Sequence, residues 1–288
     1  MDLAAVLTLD VLSGIATLVL LSLGLAVIFG MMRIINLAHG EFVMLGAYAT
    51  VLSANAGINI WIAMLVIAPL TVGAIGIVIE RCLIRFLYGR LVDTMLATWG
   101  LSLFITGAVT TAFGNTIQGV PTPLGGFEIG DYRSSYYTLF LVVLSATLLG
   151  LVFIFLRRTR FGLVSRATMQ NPGMTAALGV NPNRVYMQTF GIGAALTGLA
   201  GGVLAPVSGV GPEMGAAFVA KAFITVVGGG SAILAGTASS SSVFGFINQT
   251  GSYFTTPVFG EVIVFLSAIV LIRLLPQGIS ARFFKGSL

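Results

Sequence analysis

The chain is dominated by runs of roughly 20 mostly apolar residues with little or no charge, at positions 11–30, 60–79, 94–113, 136–156, 185–208 and 258–272. An α-helix needs about that length to cross a hydrocarbon layer ~30 Å thick. Two further stretches are apolar but interrupted. Residues 36–54 carry Asn36, His39 and Glu41 in their first turn and a half. Residues 218–255 are long enough for two crossings but contain Gly228-Gly229-Gly230, Gly236 and the serine run 239–242. Non-helical backbone survives at membrane depth only inside protein or beside a water-filled cavity, so 218–255 reads as two short spans or a re-entrant hairpin. The expected fold class is all-α, a polytopic transmembrane helical bundle of about eight or nine spans with an interrupted or re-entrant segment. A soluble fold is excluded by the charge inventory, because only 8% of residues are Asp, Glu, Lys or Arg, against ~25% in soluble domains. Glycine supplies 37 of the 288 residues, nearly twice the usual ~7%, which suits helices that pack closely through small side chains in lipid.

Orientation follows from Lys and Arg, which concentrate in cytoplasmic loops. Arg81, Arg85 and Arg90 mark one basic loop. Arg157, Arg158, Arg160, Arg166 and Arg184 mark a second, which has no acidic residue, and Arg273, Arg282 and Lys285 mark the C-terminal end. The connector 114–135 holds Glu128, Asp131 and a single Arg133. The arrangement predicted is N-out and C-in, with no cleavable signal peptide because no basic residue precedes Arg33. The longest polar connector, 157–184, is too short to bury a core of its own, so residues 1–288 are expected to form a single transmembrane domain.

Several chemistries lack their residues. Nucleotide hydrolysis uses a glycine-rich loop ending in Lys, and neither Lys221 nor Lys285 follows one. Paired histidines for a metal are excluded by a histidine count of one, and one cysteine, Cys82, allows no internal disulfide. Pairing Ser231 or the 239–242 serines with His39 as an intramembrane hydrolase rests on no spacing signal. The chain is therefore not read as an enzyme, and no metal is expected.

Three segments can carry function. Asn36, His39 and Gly40 share one helical face, with Glu41 about 100° from Gly40. Ionisable groups inside a membrane usually face a cavity or a partner, so these four residues are candidates for lining a transport path or forming a hinge. The simpler alternative is an interfacial helix start, with Asn36 as N-cap and Glu41 at the positive end of the helix dipole. In the basic loop, a short apolar helix at 172–178 lies between two Asn-Pro pairs and can end in a left-handed cap at Gly179. It either meets a protein partner or lies at the lipid interface. Ala194, Gly198 and Gly202 recur at helical spacing and read as a close-packing stripe. Glu213 and Lys221 could pair or stand solvated.

The segment Asn36-Leu37-Ala38-His39-Gly40-Glu41-Phe42-Val43-Met44-Leu45-Gly46-Ala47-Tyr48, the loop ending Ala176-Ala177-Leu178-Gly179-Val180, and the late Gly228-Gly229-Gly230-Ser231 with Gly236 resemble the membrane-spanning permeases of branched-chain amino acid ABC importers. The resemblance covers essentially the whole chain. Gln170-Asn171 with Met174-Thr175-Ala176-Ala177-Leu178-Gly179 is similar to the urea and short-amide branch of that family. Val227 before Gly228-Gly229-Gly230-Ser231-Ala232 departs from the family's Leu-Gly-Gly-hydrophobic-Gly pattern.

The resemblance implies a permease subunit in a bacterial-type inner membrane. Its partners are two cytoplasmic ABC ATPases, a second permease or a copy of itself, and an external solute-binding protein; no nucleic acid is implied. It implies that this chain binds no cofactor, ATP and Mg being used by the ATPases. It implies that Met174, Ala176, Ala177, Leu178 and Gly179 dock the ATPase, that Gly228, Gly229, Gly230 and Ser231 form an interrupted helix or gate, and that transport proceeds by alternating access. The solute class implied is branched-chain amino acids, urea or short amides. A secondary transporter coupled to protons through His39 and Glu41 is the alternative reading of the residues.

Overall fold

In hydrocarbon each backbone N–H and C=O must find its partner within the protein, which leaves helices as the means by which apolar runs of this kind cross. The computed structural model describes residues 2–230 and 232–283, and Ser231 and Lys285 lie outside them. In chain order come α1 (Asp2–Met32), α2 (His39–Asn55), α3 (Ile60–Ile62), a π-helical turn (Ala63–Ile67), α4 (Ala68–Cys82), a 3-10 turn (Ile84–Leu87) and α5 (Leu91–Phe113). A hairpin follows, β1 (Gly126–Ile129) and β2 (Tyr132–Ser135), then α6 (Tyr136–Arg158), α7 (Arg160–Gln170), α8 (Pro172–Ala177) and α9 (Pro182–Ser208). The last elements are α10 (Met214–Gly229), α11 (Ile233–Phe254), α12 (Pro257–Leu274) and α13 (Gly278–Phe283).

Among the described residues six helices are long and apolar enough to cross a membrane, or seven when the bent pair α10 and α11 counts as one span. The eight or nine read from the sequence count α2 as well, which at 17 residues spans about 26 Å at 1.5 Å per residue, and take 218–255 as two spans or a re-entrant hairpin, where the structure has a pair bent by 116°. The break falls after Gly229, where Gly230 takes φ +82. Gly236 and the serine run, read from the sequence as further breaks, lie within continuous helix in α11. There Ser239 and Ser242 return their hydroxyls to the Gly236 and Ala238 carbonyls at 3.0 and 2.8 Å, so these two are satisfied without interrupting the helix, while the buried hydroxyls of Ser240 and Ser241 have no partner among the described residues. The bundle is all-α as read, apart from one short hairpin in the connector 114–135. Its strands pair antiparallel with Glu128 opposite Arg133, joined by an exposed ion pair at 2.9 Å.

The chain divides into two compact units, Met1–Ser22, Thr122–Val152 and Lys221–Leu288 in one, Leu23–Pro121 and Phe153–Ala220 in the other. The second is organised on α9, which packs against both α2 and α4. The Ala194-Gly198-Gly202 stripe explains the fit. A Cβ on Gly46 of α2 would stand 2.7 Å from the Gly198 Cα, and one on Gly201 would overlap the Val43 carbonyl. Toward α4, Gly198 meets Val72 and Ala68, while Gly76 meets Ala194. Phe42 packs edge-on against Phe190 with ring centroids 6.0 Å apart, filling the core that the small residues leave.

In the first unit α11 packs on α12, with Phe244, Leu18, Val264 and Ala268 forming the core. Lys221 of α10 reaches Glu261 of α12 at 2.5 Å. The lysine's partner is thus Glu261 rather than Glu213, because a charge carried on an apolar helix needs a counter-ion within reach.

Forcing a side chain between α9 and α2 should cost ~1–3 kcal/mol or more. Gly201→Val is expected to lower the thermal midpoint of the detergent-solubilised chain by several degrees, while Gly100→Ala, whose new methyl meets nothing within 4 Å, does not lower it.

Candidate functional site

The polar turn between α1 and α2 is built by a reversal at Arg33, the one non-glycine residue with positive φ (54°) among the described residues. An L-residue in this region pays roughly 1–2 kcal/mol. The Arg33 amide still closes α1 by donating to the Phe29 carbonyl at 2.9 Å. Asn36 then folds its side chain back, its Oδ1 accepting the Ala38 amide at 3.1 Å. Asn36 is therefore not the N-cap of α2, as the simpler sequence reading had it. The helix begins at His39 after Ala38, and Asn36 stabilises the turn leading into it.

The side chains are not solvated at an interface. Asn36, His39 and Glu41 are 1%, 0% and 3% exposed. Thr98 of α5 accepts the Leu37 amide at 3.1 Å and donates its own hydroxyl to the Thr94 carbonyl at 2.8 Å. Thr197 of α9 lies within hydrogen-bond reach of His39 Nδ1, at 3.4 Å. The Ser102 hydroxyl meets the Glu41 carboxylate. Gly40 touches the backbone of Gly215 so closely that a Cβ there would overlap the Gly215 carbonyl. Of the six buried side-chain polar atoms without a partner among the described residues, two belong to this turn, Asn36 Nδ2 and Glu41 Oε2. Unpaired buried groups are rare and costly, so a donor and an acceptor stand ready here for a polar ligand or a rearranged neighbour.

Sequence reasoning brought together Asn36, His39, Gly40 and Glu41 but missed Thr98, Ser102, Thr197 and Gly215. A threonine within an apolar helix most often bonds its own helix, so its type carried no signal of a partner more than 60 positions away.

In the basic loop Thr159 caps α7, accepting the Gly162 amide at 3.1 Å. Asn171 caps α8, accepting the Met174 amide at 2.9 Å. Gly179 ends α8 in the left-handed conformation, φ +86, its amide bonding to the Ala176 carbonyl at 2.9 Å while that of Val180 returns to Thr175 at 3.1 Å. Only Thr175 of this helix is buried; Met174, Ala176, Ala177, Leu178 and Gly179 are exposed, Leu178 at 78%. A cavity of about 510 Å³ separates the reversal at Arg33 and Ile34 from Met169 and Pro172, with Tyr88 and Tyr186 in its wall.

Tyr88 donates its hydroxyl to the buried Glu80 carboxylate. Burial, and then the carboxylate itself, push the phenol far above its ordinary value. A raised phenol contributes stability that is complete below its unfolded value near 10 and lost only above it, so this bond persists through the neutral range.

Gly228 and Gly229 form the last turn of α10, with Gly229 against the backbone of Gly236 and Gly230 against Gln277 and Gly278. Beyond the break the Ala232 amide donates to Ser280 Oγ at 3.0 Å.

Residues 7–275 match the family model for the permease component of branched-chain amino acid transport systems. The chain belongs to this family. It is 29% identical over 284 residues to the high-affinity branched-chain amino acid transport system permease protein LivH of Escherichia coli, covering 93% of this chain and 92% of that one. It is equally similar, at 29% over the same coverage, to the permease BraD of Pseudomonas aeruginosa. A probable branched-chain amino acid permease of Methanocaldococcus jannaschii is 26% identical over 287 residues. Among solved structures, PsaBC from Streptococcus pneumoniae in complex with Fab shares the fold at TM-score 0.50 and 14% identity, over 96% of this chain and 93% of that one.

Removing the Thr98 hydroxyl leaves the Leu37 amide unsatisfied at a cost of ~1–3 kcal/mol. Thr98→Val is expected to lower both thermal stability and solute uptake by vesicles, and Thr98→Ser to retain both.

Proposed function

We propose that this permease forms the membrane path for branched-chain amino acids in an ATP-driven importer, and that its solute passes the polar turn of Asn36, His39, Gly40 and Glu41. The observation that carries the reading is the pair of unpartnered buried polar atoms at that turn, one donor and one acceptor, in a chain whose named relatives are branched-chain amino acid permeases. A solute with an ammonium and a carboxylate can meet both, while Phe42 and Phe190 supply apolar surface nearby. The cluster is closed over in this arrangement, so passage requires the surrounding helices to separate on one side at a time.

The drive comes from two cytoplasmic ATPases that use ATP and Mg, docked on Met174, Ala176, Ala177, Leu178 and Gly179. Small and apolar exposed side chains let a short helix seat in a groove. The cavity between this helix and the reversal at Arg33 offers room for that motion to reach the turn. Gly228, Gly229 and Gly230 act as a gate at the bend; Ser231, assigned with them, is outside the described residues. The excess of arginine in the loops supports a chain with its N-terminus outside and its C-terminus inside the bacterial inner membrane. A second permease, identical or homologous, and an external binding protein complete the assembly.

Two outcomes test this. Purification of the intact complex is expected to recover ATPase subunits in stoichiometric amount, and Ala177→Arg, at an exposed position, to abolish their recovery without unfolding the chain. Uptake of leucine is expected to require ATP and to be unaffected by collapsing the proton gradient. Uptake of urea in place of leucine would move the assignment to the amide branch, and dependence on the proton gradient would replace it with coupling through His39 and Glu41.

A further inference from the structure

One end of the seam between α4 and α9 carries a basic cavity lined by none of the residues of the polar turn. It holds about 330 Å³ and is lined by Glu80, Arg81, Arg85, Asn183, Arg184 and Met187 among others. Arg81 closes α4, Arg85 comes from the 3-10 turn, and Arg184 from the first turn of α9. All three are exposed, and among the described residues none makes an ion pair or side-chain hydrogen bond, unlike Arg90, Arg133 and Arg166, although Arg81 and Arg85 lie near enough to Glu80 to act on its carboxylate. The acid in the cavity, Glu80, is 1% exposed and already accepts the Tyr88 hydroxyl. Arg81 has an ordinary reason to be there, since a cation is favoured at a helix C-terminus. Arg85 and Arg184 belong to the basic loops, and the fold brings them together from positions 99 residues apart in sequence (184 − 85). Three guanidinium groups with open donors around one cavity match an oxygen-rich anion such as a phosphate.

The same seam continues into an apolar groove of about 590 Å³, lined by Leu70, Ala74, Ile77, Gly191, Ile192 and Ala195 among others. On α4 the positions 70, 74, 77 and 81 form one helical stripe, and on α9 the positions 184, 188, 191 and 195 form another. The groove therefore runs from the arginines toward the middle of the two spans. Its floor is where the helices touch, a Cβ on Gly191 standing 2.6 Å from Ile77 Cγ1. Its outer wall is Phe155 and Phe161, with ring centroids 5.6 Å apart. Leu70 remains 67% exposed and Ile77 39%, which suits contact with hydrocarbon.

We propose that this unit holds an anionic phospholipid, its phosphate on Arg81, Arg85 and Arg184 and an acyl chain in the groove between α4 and α9. Basic pockets at the ends of membrane helices recognise such headgroups, and the juxtaposition of cation cluster and apolar groove along one seam supplies both halves of the ligand. The inference depends on the chain spanning a membrane and not on the solute or the ATPases.

Native mass spectrometry of the full chain in detergent tests it, titrated with phosphatidylglycerol and phosphatidylcholine of identical acyl chains. The wild type is expected to retain phosphatidylglycerol at least tenfold better. The double substitution Arg85→Gln with Arg184→Gln is expected to remove that preference. Ala74→Trp, filling the groove from an exposed position, is expected to weaken phosphatidylglycerol at least fivefold. Inorganic phosphate and chain-free glycerophosphoglycerol at hundredfold excess are expected not to displace the lipid. Equal retention of the two lipids, or a preference that survives the double substitution, overturns the proposal. Displacement by phosphate or the free headgroup would make this a soluble-anion site instead. A change in oligomeric state with Ala74→Trp would make the groove an interface between copies and also overturn it. Gel filtration of each variant confirms that it is folded.

Discussion

The unit built on α9 depends on close backbone approach in the absence of a hydrophobic drive. Lipid tails are as apolar as leucine, so helices in a membrane associate through packing and internal polar bonds rather than by escape from water. Gly198 and Gly201 of α9 let α2 approach until backbone meets backbone, and Ala194 and Gly198 do the same for α4. Dispersion contacts fall off steeply with even a small gap, so replacing these residues would remove the contact area that takes the place of hydrophobic collapse. The polar turn before α2 sits on this arrangement. His39 meets Thr197 only because α2 lies against α9 at that distance.

The second organising constraint is the treatment of polar atoms. Most threonines and serines within the helices return their hydroxyls to a carbonyl three or four residues earlier, as Thr50, Thr189 and Thr237 do. Such groups are electrically quiet and ask nothing of their surroundings. Against that background Asn36 Nδ2 and Glu41 Oε2 stand out, as do the hydroxyls of Tyr48, Ser165, Ser240 and Ser241. The first pair occurs where the chain has already accepted a left-handed residue at Arg33. Strain and unmet hydrogen bonds in one short segment are the usual signature of a place where something moves or binds.

The seam between α4 and α9 shows the same division between satisfied and open groups at the membrane surface. Glu80 is buried and occupied by Tyr88, while the surrounding arginines keep their donors free. An amphipathic groove beside a packed helix pair is a surface that a lipid can fill without separating the helices.

Much of this was legible in the sequence because hydrophobic length and turn chemistry are local. The long spans follow from uninterrupted apolar runs, and the exposed helix α8 from Asn-Pro at its start and Gly179 at its end. The break after Gly229 follows from consecutive glycines, although Gly236 and the serines did not break α11, where Ser239 and Ser242 bond back to the helix. The short α2, the hairpin at 126–135 and the pairing of Lys221 with Glu261 were not legible. They depend on which segments pack together, and a residue's type does not report a neighbour 40 or 160 positions away. The sequence by itself determined that this chain carries spans long and apolar enough to cross a membrane, belongs among permeases, and has a polar turn and a short exposed-loop helix. Only the tertiary structure decided that the turn is buried, which threonines hold it, and that Arg81, Arg85 and Arg184 share one cavity, because side-chain partners across helices are set by packing and not by order along the chain.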